Sequence, residues 1–399
     1  MRHSILKIAL LLVATFAASG ASAEDWDITG FAGIDAQTFW LDGQFEGQQS
    51  GVNPSLLLQP EFYWRSDGGS QRISIVGFAR IDSVDDERSH ADLREAYWGI
   101  DGKDWDLTAG IGKEFWGVTE SRHLVDVINQ TDLVESIDEE SKLGQPLVNI
   151  NLQRDFGRFG LFVMPYFRER SFPGIDGRFR GPLVVDTDNP MYESSEEENH
   201  VDLALRYSHY IGDVDLGLHV FDGTSREARF VLAPEGDRLL PVYDQMTQVG
   251  VDVQYTAEAW LWKLEAIARN TRVDSFMAAV GGFEYTFYGV YDSAADVGVL
   301  LEYLYDDRHD LSPPTASNND LFVGTRLALN DPDDTSVLAG VAVDLDTQEL
   351  FLNIEAERRF GDNLSVELLL RSFMNAKPNG GMYAVKQDDY VQVSMSWYY

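Results

Sequence analysis

The end of the chain constrains the fold most tightly. Val391, Val393, Met395, Trp397 and Tyr399 alternate with Tyr390, Gln392, Ser394, Ser396 and Tyr398. Successive side chains of a strand point to opposite faces, so this spacing makes one face apolar and the other largely polar. A strand in this position exposes a row of N–H and C=O groups, and the fold must supply a partner for it. The same period recurs along the chain. Leu56, Leu58, Phe62 and Trp64 oppose Gln59, Glu61, Tyr63 and Arg65. Val249, Val251, Val253 and Tyr255 oppose Gln248, Gly250, Asp252 and Gln254. Leu350, Leu352, Ile354 and Ala356 oppose Asn353, Glu355, Glu357 and Arg359, and Leu364, Val366, Leu368 and Leu370 oppose Ser365, Glu367 and Arg371.

The connections between these strands alternate too. Short ones fall at 66–70, 101–104, 155–158, 212–213, 256–259, 291–295, 330–335 and 361–363. Longer ones fall between them, at 41–54, 82–91, 117–145, 168–198, 222–246, 270–275, 306–319, 345–348 and 374–388. Counting segments gives about eighteen strands, sixteen at the low end, an even number as single-chain bacterial barrels have. Two places resist assignment: Phe230-Val231-Leu232 within a long connection, and the irregular segment Ala91–Asp101.

Residues 1–23 read as a cleaved signal peptide. Arg2, His3 and Lys7 precede an apolar stretch from Ile8 to Ala18, and Ala21-Ser22-Ala23 is a small-x-small site before Glu24. Residues 24–399 then form one domain. It contains no apolar run long enough for a transmembrane helix, although 44% of the chain is hydrophobic and 12% aromatic. Short alternating strands conceal membrane-spanning character in this way. The net charge is −35, and removing residues 1–23, which hold two basic residues and no acidic one, leaves −37. Such a surface repels nucleic acid. The absence of cysteine excludes a thiol nucleophile and a cysteine-ligated metal.

A soluble sandwich would bury the apolar faces against a second sheet. The opposite faces carry charge on many strands, which a dry interior would tolerate only at several kcal/mol per unpaired ion. A closed barrel resolves this, with the apolar face toward lipid and the charges toward a wet lumen. Trp26, Trp40, Trp64, Trp260, Trp262, Trp397 and Tyr399 suit interfacial aromatic girdles. The expected fold is therefore all-β: a transmembrane, antiparallel, up-and-down β-barrel. The closing strand, with its terminal aromatic, resembles that of Gram-negative outer-membrane β-barrels. The segment Gly112-Lys113-Glu114-Phe115-Trp116-Gly117-Val118-Thr119-Glu120-Ser121, followed by Ile128-Asn129 and Asp132, resembles one found in a broad group of proteobacterial porin and channel proteins. That resemblance implies a bacterial outer-membrane location, with lipid and lipopolysaccharide around the barrel. It further implies assembly machinery that reads the last strand, and a third loop that folds into the lumen.

On this reading Arg65, Arg72, Arg80, Arg168, Arg206, Lys263, Arg269, Arg326, Arg359 and Arg371 face the lumen. So do Glu61, Asp202, Asp252, Glu265, Glu284, Glu302, Glu355, Glu357 and Glu367. Opposed basic and acidic walls select permeants by charge, although such residues also pair off and fill an interior. The third loop carries Leu124, Val125, Val127, Ile128, Leu133, Val134 and Ile137, more apolar residues than a solvated loop needs. Their spacing predicts short helical turns. Glu120, Asp126, Asp132, Glu135, Asp138, Glu139 and Glu140 would then form a constriction facing the arginines across the pore. The acidic segments 135–140 and 186–198 are expected at the outer mouth.

Other chemistry finds little support. Ser121, His123 and Asp126 fit no nucleophile pattern. His200, His209 and His219 differ in facing direction, so no metal site is expected, and no cofactor. The run Glu193-Ser194-Ser195-Glu196-Glu197-Glu198 reads as a solvated loop before it reads as a divalent-cation site. The function expected is passive diffusion of small hydrophilic solutes with modest cation preference, in a chain that can form homo-oligomers. A barrel enzyme acting on lipid and a non-conducting structural or adhesion barrel are the alternatives.

Overall fold

The computed structural model describes residues 26–399 except Ala316 and Asn379, so the expected signal peptide lies outside the described residues. The alternating segments form eighteen strands of one antiparallel sheet: β1 (Trp26–Phe39), β2 (Gly51–Arg65), β3 (Gln71–Asp82), β4 (Ala91–Asp101), β5 (Trp105–Gly112), β6 (Gln145–Arg154), β7 (Gly157–Met164), β8 (Asp202–Ile211), β9 (Val214–Thr224), β10 (Gln245–Ala257), β11 (Trp260–Thr271), β12 (Ser275–Phe287), β13 (Asp296–Asp306), β14 (Asn319–Ala328), β15 (Ser336–Asp344), β16 (Leu350–Phe360), β17 (Leu364–Met374) and β18 (Tyr390–Tyr398). Each strand pairs with the next in sequence. The terminal strand pairs with β1 from Phe31↔Tyr398 to Phe39↔Tyr390, and this closes the barrel. The barrel sheet is left without an edge strand, which is how a membrane-spanning sheet satisfies its backbone.

Turn chemistry places the short connections at one end. The two-residue turn at Gly212-Asp213 and the turn at Gly361 put glycine at φ +64 and +66, a backbone state that other residues adopt at a cost. The outward face is apolar: Leu203 and Leu205 on β8, Val249 on β10 and Leu368 on β17 are all exposed there. Aromatic rings collect near the turn end, where Trp26 meets Trp64 at 6.3 Å and Trp260 stacks on Trp262 at 5.5 Å.

Both irregular places have a physical explanation. Phe230-Val231-Leu232 belongs to a small sheet of the outer loops, formed by Arg229–Leu232, Leu239–Tyr243 and Met191–Tyr192, and not to the barrel. In β4 the pairing jumps from Val76↔Glu95 to Gly77↔Leu93, so Arg94 is the extra residue of a β-bulge. The bulge breaks the alternation and turns Arg94 inward. Nearby, Pro60 of β2 lies in a gap of the β2–β3 ladder, where its missing N–H costs no ladder bond. The loop before β2 ends at Ser50, four residues earlier than the sequence pattern placed it, because Gly51–Pro54 pair with β1.

The outer loops are tied together over the β1–β18 seam. Arg178, in the loop between β7 and β8, pairs with Asp388 at 2.7 Å and donates to the carbonyls of Leu41, Gln49 and Gln387. Its guanidinium lies 4.5 Å from the ring of Phe39, which stacks on Tyr390 at the last seam pair. Arg178→Ala leaves Asp388 buried without its cation, at a cost of about 3–5 kcal/mol. We expect a lower unfolding midpoint in detergent and new tryptic cleavage after Lys386. An unchanged midpoint and digest would show that other contacts hold these loops.

Candidate functional site

The third loop, residues 113–144, makes its contacts on the inner wall. Its backbone is polar and largely without regular structure, so its N–H groups need acceptors. Two wall carboxylates supply them. Glu265 on β11 accepts from Val118 N at 2.7 Å, Thr119 N at 3.0 Å, Thr119 Oγ1 at 2.8 Å and Val125 N at 3.2 Å. Glu302 on β13 accepts from Glu120 N at 2.9 Å, Ser121 N at 2.8 Å and the Ser121 hydroxyl at 2.6 Å. The neck is closed by Asn129, which donates to the carbonyls of Gly112 and Leu143 and accepts from Glu114 N.

The apolar residues pack on the wall between β6 and β15. Trp116, Leu124, Val125, Val127 and Ile128 join inward-facing Phe162, Phe221, Ile267, Leu300 and Phe322 in one buried cluster. Trp116 lies under the Arg206 guanidinium, at 4.7 Å, and edge-on to Phe162. Of the expected helical turns at 125–128 and 133–137, only the second carries helical hydrogen bonds. Asp132 O accepts from Glu135 N and Ser136 N in a single turn, and the apolar spacing reflects burial against the wall.

The loop's far half is pinned to the opposite wall by charge. Glu135 pairs with Arg80 on β3 at 2.7 Å, Asp132 with the bulged Arg94 on β4 at 2.6 Å, and Asp138 with Arg371 on β17. Glu120 meets Arg326 on β14 at 2.6 Å and Lys263 on β11 at 3.7 Å. Within the outer loops, Glu139 pairs with Arg170, Asp126 with Lys142 and Glu140 with His123. The acids of the expected constriction therefore do not face arginines across open space. They are in direct ion pairs, and segment 135–140 is not free charge at the outer mouth. Burial alone would raise the Asp132 carboxyl, but His90, Arg94 and Ser171 hold it well below the usual range. Burial likewise opposes a charge on His123, yet Glu140 and Glu265 hold its pKa up at about 10, so the ring is cationic at neutral pH.

The remaining predicted residues fall into three groups. Glu61, Arg65, Arg72, Glu284, Glu357, Arg359 and Glu367 lie on the inner face toward the turn end; Arg65 and Arg72 share Asp101, and Glu357 stands opposite Glu367. Arg206 and Asp252 pair on the wall at 2.9 Å, as Asp202 does with Arg226 at 2.6 Å. Arg269 reaches Glu227, and Glu355 lies 3.6 Å from Arg371. Arg168 is the exception: it stands beyond β7 in the fourth loop, bonded to Asp92 and to the carbonyl of Gly144. Alternation missed Arg94, because a bulge displaces it, and missed Arg122, Arg170, Glu227 and Arg308, because they stand in loops. Arg122, Arg269 and Arg308 converge on Glu227 and, after the opposing cost of burial, hold its carboxyl well below the usual range.

The enzyme and metal alternatives have little geometry behind them. The Ser121 hydroxyl donates to Glu302, while His123 lies between Glu140 and Glu265, so the two are not coupled as nucleophile and base. His90, Asp132 and Glu135 place ligand-type atoms within 4.8 Å of one another. Arg94 and Arg80 already supply the positive charge that a metal would bring to those carboxylates.

A cavity of about 710 Å³ remains between the third loop and strands β13–β17. The loop side presents Glu120, Arg122, His123 and Asp138–Glu140, and the wall side presents Leu304, Asp320, Phe322, Leu338, Phe351, Glu355 and Phe373.

No protein-family model and no curated protein matches the sequence. Among solved structures, the chain is similar to Wzi, an outer-membrane protein of Escherichia coli involved in group 1 capsule assembly and described as a carbohydrate-binding β-barrel. The identity is 10%, over 98% of this chain and 88% of that one, with a TM-score of 0.53. It is also similar to an engineered variant of the Rh. blastica porin, at 12% identity over 94% of this chain and all of that one, with a TM-score of 0.44. The chain is a closed eighteen-stranded up-and-down β-barrel, and its neighbours of known structure are porins and an outer-membrane barrel.

Proposed function

We propose that this barrel is a porin-like channel of the bacterial outer membrane that passes small hydrophilic solutes by passive diffusion. The observation that carries the reading is the third loop, bonded to β11 and β13 on one side and to β3, β4 and β17 on the other, with a cavity of about 710 Å³ left beside it. A loop so held narrows the lumen without closing it. The inward charges predicted from the sequence act on this path in two ways. Arg80, Arg371, Glu265 and Glu302 hold the loop in place, while Glu61, Arg65, Arg72, Glu357, Arg359 and Glu367 line the turn-end vestibule. Lipid and lipopolysaccharide surround the apolar outer face, and the assembly machinery engages the closing strand.

A second reading, a non-conducting barrel that binds surface carbohydrate, is supported by the likeness to Wzi. Conductance separates the two. Deleting residues 124–140 removes the loop's apolar and acidic segments, and we expect single-channel conductance in planar bilayers to rise several-fold. Unchanged conductance in a deletion variant that still folds would place the narrowest point elsewhere, and an intact protein without conductance would favour the second reading.

Selectivity is the other test. The acids expected at the constriction are paired, so the free negative charge at the mouth comes from exposed acids of the other outer loops, among them Asp188, Glu196 and Glu197 of the fourth. Exposed charge raises the local cation concentration most when the Debye length is long, from about 10 Å at 0.1 M salt to about 30 Å at 0.01 M. Reversal potentials in KCl gradients should show modest potassium preference that declines as salt rises. Chloride preference at low salt would sink this part of the reading.

A further inference from the structure

The lining of the cavity beside the third loop is unusual for a path that takes only small polar solutes. Six phenylalanines border it: Phe172, Phe179, Phe230, Phe322, Phe351 and Phe373. Three of them form a patch on the barrel wall. Phe351 and Phe373 are register partners on β16 and β17, with ring centroids 5.3 Å apart. Phe322 on β14 lies down over Gly340 and Gly324, where added Cβ atoms would come within 2.4 Å and 3.0 Å of the ring. Two glycines thus let the ring rest on the sheet, with its other side toward the cavity it lines.

Negative charge flanks this patch on both sides. Two residues before Phe322, on the same inner face, Asp320 is only 4% exposed and lines the cavity. Its carboxylate accepts from the backbone N–H of Asn319, and among the described residues it has no arginine, lysine or histidine at ion-pair distance. Glu355 on β16 keeps 46% of its side chain exposed, and its nearest cation, Arg371 at 3.6 Å, is engaged more closely by Asp138. Of the seven carboxylates around the cavity, Glu120, Glu227 and Asp138–Glu140 are ion-paired, and Asp320 and Glu355 are left as its uncompensated negative charge. The arginines are committed elsewhere: Arg371 to Asp138, Arg170 to Glu139, and Arg122 to Asp306 and the carbonyl of Ser317.

From this juxtaposition we infer that the cavity binds organic cations, ammonium ions that carry an aryl or alkyl group. The inference rests on the reading of this cavity as the permeation path and names the solute class that the path favours. A simple metal cation would use the carboxylates and leave the phenylalanines against water. An organic anion would use the rings and meet the excess negative charge. An ammonium ion with an apolar substituent uses both, because a cation is drawn to a ring face and its hydrocarbon removes apolar wall from water. Asp320 supplies the counter-charge, at a depth where an unpaired carboxylate is costly until a cation arrives.

The test is equilibrium binding to the full chain folded in detergent, read by titration calorimetry with benzyltrimethylammonium, tetramethylammonium and benzoate as probes. We expect benzyltrimethylammonium to bind at least about tenfold tighter than tetramethylammonium, and benzoate not to compete. Asp320→Asn, close to isosteric, should weaken benzyltrimethylammonium about tenfold. Phe322→Leu should erase most of its advantage over tetramethylammonium. Equal affinity for the two cations, tighter binding of benzoate, or unchanged binding in both variants would overturn the inference. Conductance is measured in parallel: a protein that binds the aryl cation but passes no current supports the site and overturns the channel reading, while a conducting protein that binds none of the probes does the reverse.

Discussion

A loop that enters a barrel carries its backbone polar groups away from bulk water, and everything inside this barrel depends on where those groups are satisfied. Here the answer is two glutamates. Glu265 and Glu302 stand on neighbouring parts of the wall and collect the N–H groups of Val118, Thr119, Glu120, Ser121 and Val125. A carboxylate accepts several such bonds at once, and each is stronger for the charge. With that edge fixed, Trp116 and Ile128 reach the apolar part of the wall and the acidic half of the loop meets Arg80, Arg94 and Arg371. Without acceptors at these two positions, the same residues would have no common register.

This arrangement changes what the abundant acid means. A chain with a net charge of −35 suggests a lumen dominated by repulsion. Inside, Glu120, Asp126, Asp132, Glu135, Asp138, Glu139 and Glu140 each meet a cation, and Glu227 has three arginines around it. Acid without a close cation is left on the exposed outer loops and, in the cavity beside β13–β17, at Asp320 and Glu355. Function in a charged interior is carried by what remains after pairing, and composition does not report that remainder.

The barrel itself was legible because a strand's facing direction is a local property: one period of two decides it, and the glycine and asparagine turns mark where it restarts. Strand number, the alternation of short and long connections and the inward set on the strands all follow from it. The anchors were legible only as inward charges. Nothing near Glu265 in sequence announces that its partners lie 147 and 146 residues earlier, at Val118 and Thr119. Arg94 escaped because a bulge violates the period that was being read. The apolar spacing of Val125 and Ile128 looked helical, but it records contact with a wall that the loop meets only after the barrel exists. Loop residues such as Arg122, Arg170 and Glu227 carry no periodic signal at all.

The position of Arg178 bears on how long the folded state lasts. Its acceptors come from residues 41, 49, 387 and 388, next to the first and last strands, so the clamp assembles only after those strands have met. An interaction that forms after the rate-limiting step of folding leaves the folding rate nearly untouched and slows unfolding. The seam is where a barrel must begin to open. A buried guanidinium placed over it lengthens the lifetime of the closed state.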